Sequence, residues 1–437
     1  MRSSISLNKN TSTRTSELSA ATDVRRRAEA LHGGYSAVIH MPPPLPNAPV
    51  IDVDPFDEAV LLAPEPFQET LRDAGEFAWL SAYGIWATGR CDHVADILRD
   101  WQTYSSEGGV GLANFHKEKP WRPPSLVLEH DPPAHTRARA VLMRGLTPVA
   151  LRRLRDSFAR EAKKQVSRLL DMGRFDAIRE LAEGYPLKVF GDAVGINPED
   201  RHYLLDYGNM SFNAMGPRNA LCLKSMERQD EIVAWIMAQC ARDALDPDGL
   251  GMIMYAAADE GAVTEDEAGM LVRSFLSAGV DTTVRAVGGA LDAMARNPEQ
   301  WQMLRADPSL ARVAVEEAIR YASPFQTVFR TTSVPVDKQG LRIGAGEKIM
   351  LSIGAANHDP RKWERPDEYD IRRKTIGHVG FGAGIHTCAG QMLARIEMEA
   401  LFDELARQVS SIELDGEKTY ALNNTTRGLS RLPLRVQ

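Results

Sequence analysis

The sequence predicts a mainly α-helical fold with small peripheral β-sheets. Three observations carry that prediction: apolar residues recur at helical spacing through several long segments, strand-like runs are few and short, and no internal repeat is visible. Residues 147–171, TPVALRRLRDSFAREAKKQVSRLLD, set Leu151, Leu154, Phe158 and Ala162 on one face among Arg and Lys, and Thr147-Pro148 supplies a helix start. Residues 273–297, RSFLSAGVDTTVRAVGGALDAMARN, are mostly apolar and are expected to run through the core as one long helix. A further helix over SLARVAVEEAIRYASP is stopped by Pro324. Strand character falls on FQTVFRTTSVPV, GEKIMLSIGAAN and the terminal LSRLPLRV.

Composition narrows the function classes. The chain has 437 residues, 43% hydrophobic and 25% charged, an ordinary globular balance that allows one large enzyme domain over 49–437. A net charge of −7 provides no basic field for nucleic acid. The four cysteines (Cys91, Cys222, Cys240, Cys388) are far apart with no CxxC pair, which argues against a disulfide framework or zinc site and for a reducing, cytoplasmic setting. No window approaches eighteen consecutive apolar residues, so no membrane-spanning helix is expected. Residues 1–48 are rich in Ser, Thr and Arg and end in the Pro run of HMPPPLPNAP; they are expected to be a disordered extension and linker outside the fold. A transit peptide is the alternative, against which Glu17, Asp23 and Glu29 count.

Several motifs carry chemistry. FGAGIHTCAG, residues 381–390, sets one cysteine in a glycine-rich turn with a histidine, surroundings that a leftover buried thiol does not need. Asp281-Thr282-Thr283 is poor helix-interior composition. Taken alone it fits a local kink in which a Thr hydroxyl bonds back to an earlier carbonyl. Ala278-Gly279 just before it leaves room for a flat ligand against the backbone. Ser274, Ser277 and Asp281 share one helical stripe and suggest a lined cavity. Glu317 and Arg320 are three apart, either a surface pair or a buried one in need of partners. His135 and Arg139, one turn apart after Pro132-Pro133, either hold an anionic group or make a surface salt bridge.

Together these motifs resemble the cytochrome P450 family of haem-thiolate monooxygenases, from about Asp52 to the end of the chain. The resemblance rests on F-G-x-G-x-H-x-C-x-G at 381–390, Ala-Gly-Val-Asp-Thr-Thr at 278–283, Glu317-x-x-Arg320 and His135-x-x-x-Arg139, all in the family's order. HDPRKWERPDEYDIRR resembles the family's meander, in which Arg373 joins Glu317 and Arg320 as a buried structural triad. The resemblance implies haem b (iron protoporphyrin IX) with Cys388 as its axial thiolate and metal ligand. Phe381 and Gly382 then pack beside the ligand loop, and His386, His135, Arg139 and Arg330 partner the haem propionates. Ala278 and Gly279 leave space for O2, Thr282 holds the oxygen and its water, and Asp281 relays protons; Asp281 and Thr282 are the catalytic pair.

Within the family, KEKPWRPPSLVLEHDPPAHTR, SFNAMGP and RSFLSAGVDTT resemble the bacterial subfamily that oxidises para-substituted benzoic acids. That resemblance assigns Arg122, Ser125, Ser274 and Ser277 to the substrate carboxylate, with Arg273 assisting from behind. Leu128, Phe212, Met215 and Val328 line the substrate pocket. Met215 and Val328 stand where Phe is expected, a departure that favours a bulkier acid such as a cinnamate. The implied reaction inserts one atom of O2 into a small aromatic acid by para-hydroxylation, or by O-demethylation of a 4-methoxybenzoate through methyl hydroxylation and loss of formaldehyde. The alternatives are a peroxygenase of the same fold, a monooxygenase of a non-acid molecule, and a non-catalytic haem sensor. Electrons are expected from a [2Fe-2S] ferredoxin and its NAD(P)H-dependent reductase, the ferredoxin docking on Arg372, Arg373, Lys374 and Arg395 near Cys388. The chain is expected to be a monomer.

Overall fold

The structure is a computed structural model that describes residues 41, 43–338 and 340–437. Most of the expected N-terminal extension lies outside the described residues. Its described end does not behave as a free linker: the Met41 N–H donates to Ser81 O at 2.8 Å, Trp79 Nε1 donates to Met41 O at 2.9 Å, and Leu45 and Ala48 pack on the cluster containing Trp79. The boundary expected at 48/49 therefore falls inside packed chain.

A six-stranded sheet forms one side of the molecule. Its strands are β1 (Val50–Ile51), β2 (Ala78–Leu80), β3 (Ile85–Thr88), β4 (Tyr104–Ser105), β5 (Thr327–Thr332) and β6 (Lys348–Ser352), in the order β1-β2-β3-β6-β5-β4. β5 and β6 pair antiparallel, with Arg330 opposite Ile349 and Val328 opposite Leu351. The sequence marked β5 and β6. It did not mark β2 and β3, whose residues are all buried and so show no apolar–polar alternation. The terminal run forms short pairs over Gly428–Arg431 and Pro433–Val436.

The helices that position the site are α1 (Ala134–Gly145), α2 (Pro148–Met172), α3 (Tyr203–Asn213), α4 (Glu265–Ala278), α5 (Asp281–Arg296), α6 (Ala311–Ala322) and α7 (Gln391–Gln408). α2 starts where expected, with Thr147 Oγ1 accepting from the Ala150 N–H, and buries Leu151, Phe158, Ala162, Val166 and Leu169. α6 ends at Ser323, in the left-handed region just before Pro324. Among the described residues no helix is long and apolar enough to cross a membrane.

The single helix expected over 273–297 is two helices, α4 and α5, with Gly279 and Val280 between them. Hydroxyls cause the interruption: Thr282 Oγ1 donates to Ala278 O at 2.9 Å and Thr283 Oγ1 to Gly279 O at 3.1 Å, drawing on carbonyls that the helix ladder would use. Gly279 also lies against Phe190, where an added Cβ would meet ring carbons at 2.2 Å. No side chain fits there.

α6 carries the expected buried triad. Arg320 donates to both oxygens of Glu317, at 2.7 and 2.8 Å, and Arg373 Nε donates to Glu317 Oε1 at 3.0 Å. The remaining Arg320 protons go to the carbonyls of Asn357 and Pro366, each at 2.8 Å, and to Glu368 O at 3.4 Å. Helix α6 is thereby fixed to the meander and to the chain entering the cysteine loop.

Candidate active site

The cysteine loop is shaped by its glycines. Gly382 and Gly384 both take φ 71°, and a Cβ on Gly384 would meet Leu98 O at 2.5 Å. The turn closes with the Cys388 N–H donating to Phe381 O at 2.8 Å and then feeds α7. Cys388 is the exposed one of the four free cysteines. Desolvation by the surrounding protein raises its thiol, against which the N–H groups of Gly390 and Gln391 and the charges of Arg139 and Arg395 act. Those groups are arranged to favour a thiolate. Phe381 packs beside the loop under Arg395, whose guanidinium lies 4.4 Å from the ring centroid.

Around the loop stand the four residues assigned to an anionic group. His135, on α1, is buried with neither ring nitrogen partnered. Burial, His386 and Arg139 hold its pKa at about 4, so it is neutral at pH 7. Arg330, on β5, is buried, with the Phe329 carbonyl as its acceptor at 2.8 Å, and burial lowers it to about 10. Arg139 donates to Thr387 O at 2.6 Å, one residue from the cysteine. His386 is less available than expected: Nε2 meets Asp131 at 3.1 Å and Nδ1 meets Val127 O at 3.3 Å. A buried guanidinium with no carboxylate and an orphan imidazole suit a group that brings its own carboxylates, as haem does with its propionates. The residues fit that group.

The α4–α5 junction presents Ala278 as an exposed residue and Thr282 as a half-exposed one, on helices otherwise largely buried. Asp281 does not continue the Ser274–Ser277 stripe. The break at Gly279 turns it toward Gly208 of α3, where it is buried and accepts from Arg285 Nε at 2.7 Å. Arg285 in turn lines a separate cleft of about 540 Å³ that Asp292 and Lys418 also line. The i,i+4 spacing of Asp281 and Arg285, present in the sequence, is the signal for this pair.

A second cluster lies where α4 meets the loop before α1. Arg122 is not solvated: NH1 and NH2 contact the two Glu129 oxygens at 2.8 and 3.1 Å, and NH1 also donates to Pro123 O at 2.9 Å. Ser125 Oγ lies 3.4 Å from Ser274 Oγ, and Arg273 is buried with Pro123 O as its acceptor at 3.1 Å. Ser277 instead donates to Ser274 O. Of the expected pocket walls, Phe212 meets Phe325 edge-to-face at 5.8 Å, Val328 is buried, Met215 is half-buried and Leu128 exposed. Phe325 and Glu129 were not foreseen.

The chain belongs to the cytochrome P450 family. The family model for cytochrome P450 matches residues 224–433. A cytochrome P450 of Rhodopseudomonas palustris, CYP199A2, is 49% identical over 391 residues, covering 89% of this chain and 95% of that protein. The putative cytochrome P450 126 of Mycobacterium tuberculosis is 32% identical over 365 residues, covering 81% and 88%. Among solved structures, CYP109Q5 from Chondromyces apiculatus aligns with a TM-score of 0.74 and 28% identity over 88% of this chain and 98% of that one. The protein is therefore a haem-dependent oxidoreductase of the monooxygenase type, working with O2 and a redox partner, and its haem b takes a cysteine thiolate as axial ligand.

Proposed function

We propose that the protein oxidises small aromatic carboxylic acids, holding the carboxylate at the Arg122–Arg273 cluster and presenting the para substituent for hydroxylation or O-demethylation. The observation that carries this is Arg273, a buried guanidinium whose acceptor is a backbone carbonyl, set beside Arg122, Ser125 and Ser274. A buried guanidinium with no ion pair of its own is suited to a carboxylate ligand. A flat ring clamped at one end leaves few orientations to the other, so positioning sets which carbon is oxidised. Half-buried Met215 and buried Val328 in place of aromatic walls favour a cinnamate-like acid alongside 4-methoxybenzoate.

Cys388 is the proposed thiolate ligand; the haem it holds supplies oxygen activation, to which thiolate electron donation contributes. The remaining work falls to the chain. Arg330, His135 and Arg139 bind the propionates. Thr282 Oγ1 exchanges its bond to Ala278 O for one to the oxygen or its water. Once its Arg285 contact loosens, Asp281 takes a proton from solvent onto one carboxylate oxygen and passes it on toward Thr282. The pair distinguishes this reading from a peroxygenase or a sensor, neither of which needs a relay.

Electrons come from a ferredoxin of [2Fe-2S] type in this reading, and the protein works as a cytoplasmic monomer. The expected docking patch is smaller than the sequence suggested. Arg373 is committed to Glu317, and Arg395 to Glu316 and Gln391. Carboxylates of α6, buried Glu317 and half-buried Glu316, claim the two guanidinia, so Arg372, Lys374 and the 91%-exposed Ile376 are what the surface offers a partner. The test of the substrate class is a titration of the haem spin-state shift across para-substituted benzoates and cinnamates. Shifts are expected with acids and their loss in Arg122→Ala. No shift with any acid would refute the proposal.

A further inference from the structure

The carboxylate seat at Arg122 already holds a carboxylate, that of Glu129. Its side chain is 4% exposed and that of Arg122 16%. Both Glu129 oxygens lie against NH1 and NH2 of Arg122, and the Ser125 N–H donates to Glu129 Oε2 at 2.7 Å. NH1 has two protons, and both are spent, on Glu129 and on Pro123 O. An incoming carboxylate thus finds the end-on fork of Arg122 and the Ser125 amide taken. What is left on Arg122 is Nε and one N–H of NH2, with a negative charge alongside.

We infer that Glu129 is an internal competitor for the substrate carboxylate, and hence a specificity-determining residue of the anchor. The inference rests on the proposed acid-binding role of Arg122. The charge count supports it. Arg122 and Arg273 bring two positive charges, and Glu129 removes one, leaving a site matched to a single monoanion. A substrate acid that takes the fork leaves Glu129 as a buried carboxylate with a weaker partner, and its affinity is reduced by that amount. A neutral amide of the same shape neither gains the fork's charge nor suffers repulsion from Glu129. The residue therefore sets how much better than the amide an acid binds.

Glu129→Gln separates charge from structure, because the amide oxygen still accepts from Ser125. The experiment measures spin-state titrations of the haem-loaded full chain with 4-methoxybenzoate and 4-methoxybenzamide, together with the ligand-induced rise in melting temperature. Glu129→Gln is expected to tighten the acid by about tenfold and leave the amide unchanged, as removal of a desolvated competing charge predicts. Glu129→Asp, whose shorter carboxylate cannot span both Arg122 nitrogens, is expected to tighten the acid less, and it serves if Glu129→Gln does not fold. Equal or weaker acid binding in these variants, with Arg122→Gln still abolishing it, overturns the inference and leaves the anchor standing. Undiminished acid binding in Arg122→Gln overturns the anchor itself, and the inference with it.

Discussion

Removing the Glu317 carboxylate breaks a fully buried ion pair of the fold. Glu317 and Arg320 are both 0% exposed at the side chain, and Glu317 accepts from Arg320 twice, from Arg373, and from the Asp370 N–H at 3.1 Å. In Glu317→Ala the Arg320 charge stays buried with only carbonyl partners, and the Asp370 amide loses its acceptor. Breaking a buried pair costs about 3–5 kcal/mol and an orphaned amide about 1 kcal/mol. The carbonyls of Asn357 and Pro366 still hold Arg320, which places the expected loss near the lower end, about 4 kcal/mol. That is a large share of the roughly 5–15 kcal/mol that holds a domain folded. Denaturant titration followed by far-ultraviolet circular dichroism reads it as a shift in midpoint at constant slope. The paired replacement Glu317→Met/Arg320→Met removes both charges and should cost clearly less than the sum of the single changes. A loss below about 1 kcal/mol in Glu317→Ala would show that the pair is not holding the proximal core together.

Other outcomes follow from the site. Thr282→Val should leave the acid-induced spin shift intact while product formed per NAD(P)H consumed falls by about tenfold, in line with the loss of a positioned hydroxyl; unchanged coupling would remove Thr282 from the relay. Burial alone would raise the Glu316 carboxyl, but His378 and Arg395 outweigh it and hold its pKa at about 2. Its folded pKa is thus depressed, so its contribution is complete above about pH 4.5 and is lost as pH falls toward 2; acid unfolding of Glu316→Gln should be flatter than wild type across that window. Arg372→Glu/Lys374→Glu should slow reduction by an acidic ferredoxin at low salt and leave substrate binding untouched, and an unchanged rate would move the docking site elsewhere.

What was legible in the sequence had either a strong period or a specific spacing. The amphipathic face of α2, the Pro324 stop of α6 and the cysteine turn are local patterns, and each depends on neighbours within a few residues. The buried triad was legible only through the resemblance of the Glu317–Arg320 pair and the meander to the family; Glu317 and Arg320 alone look like a surface pair. Much of what escaped depends on long-range packing. The break between α4 and α5 needed Phe190 against Gly279 as well as the hydroxyls, and Phe190 is about ninety residues away in sequence. The Arg122–Glu129 pair, seven residues apart in irregular chain, has no helical or strand spacing to announce it. Arg373 and Arg395 looked free for a partner because their carboxylates, Glu317 and Glu316, belong to a different helix.

The most direct test of the haem-thiolate account is the carbon monoxide difference spectrum of the reduced, haem-loaded chain, beside that of Cys388→His. The wild type is expected to give the band position particular to thiolate-ligated haem. Cys388→His is expected either to move it to the ordinary histidine-haem region or to lose the haem. A wild-type band already in the histidine region, or a thiolate band that survives in Cys388→His, would contradict Cys388 as the iron ligand.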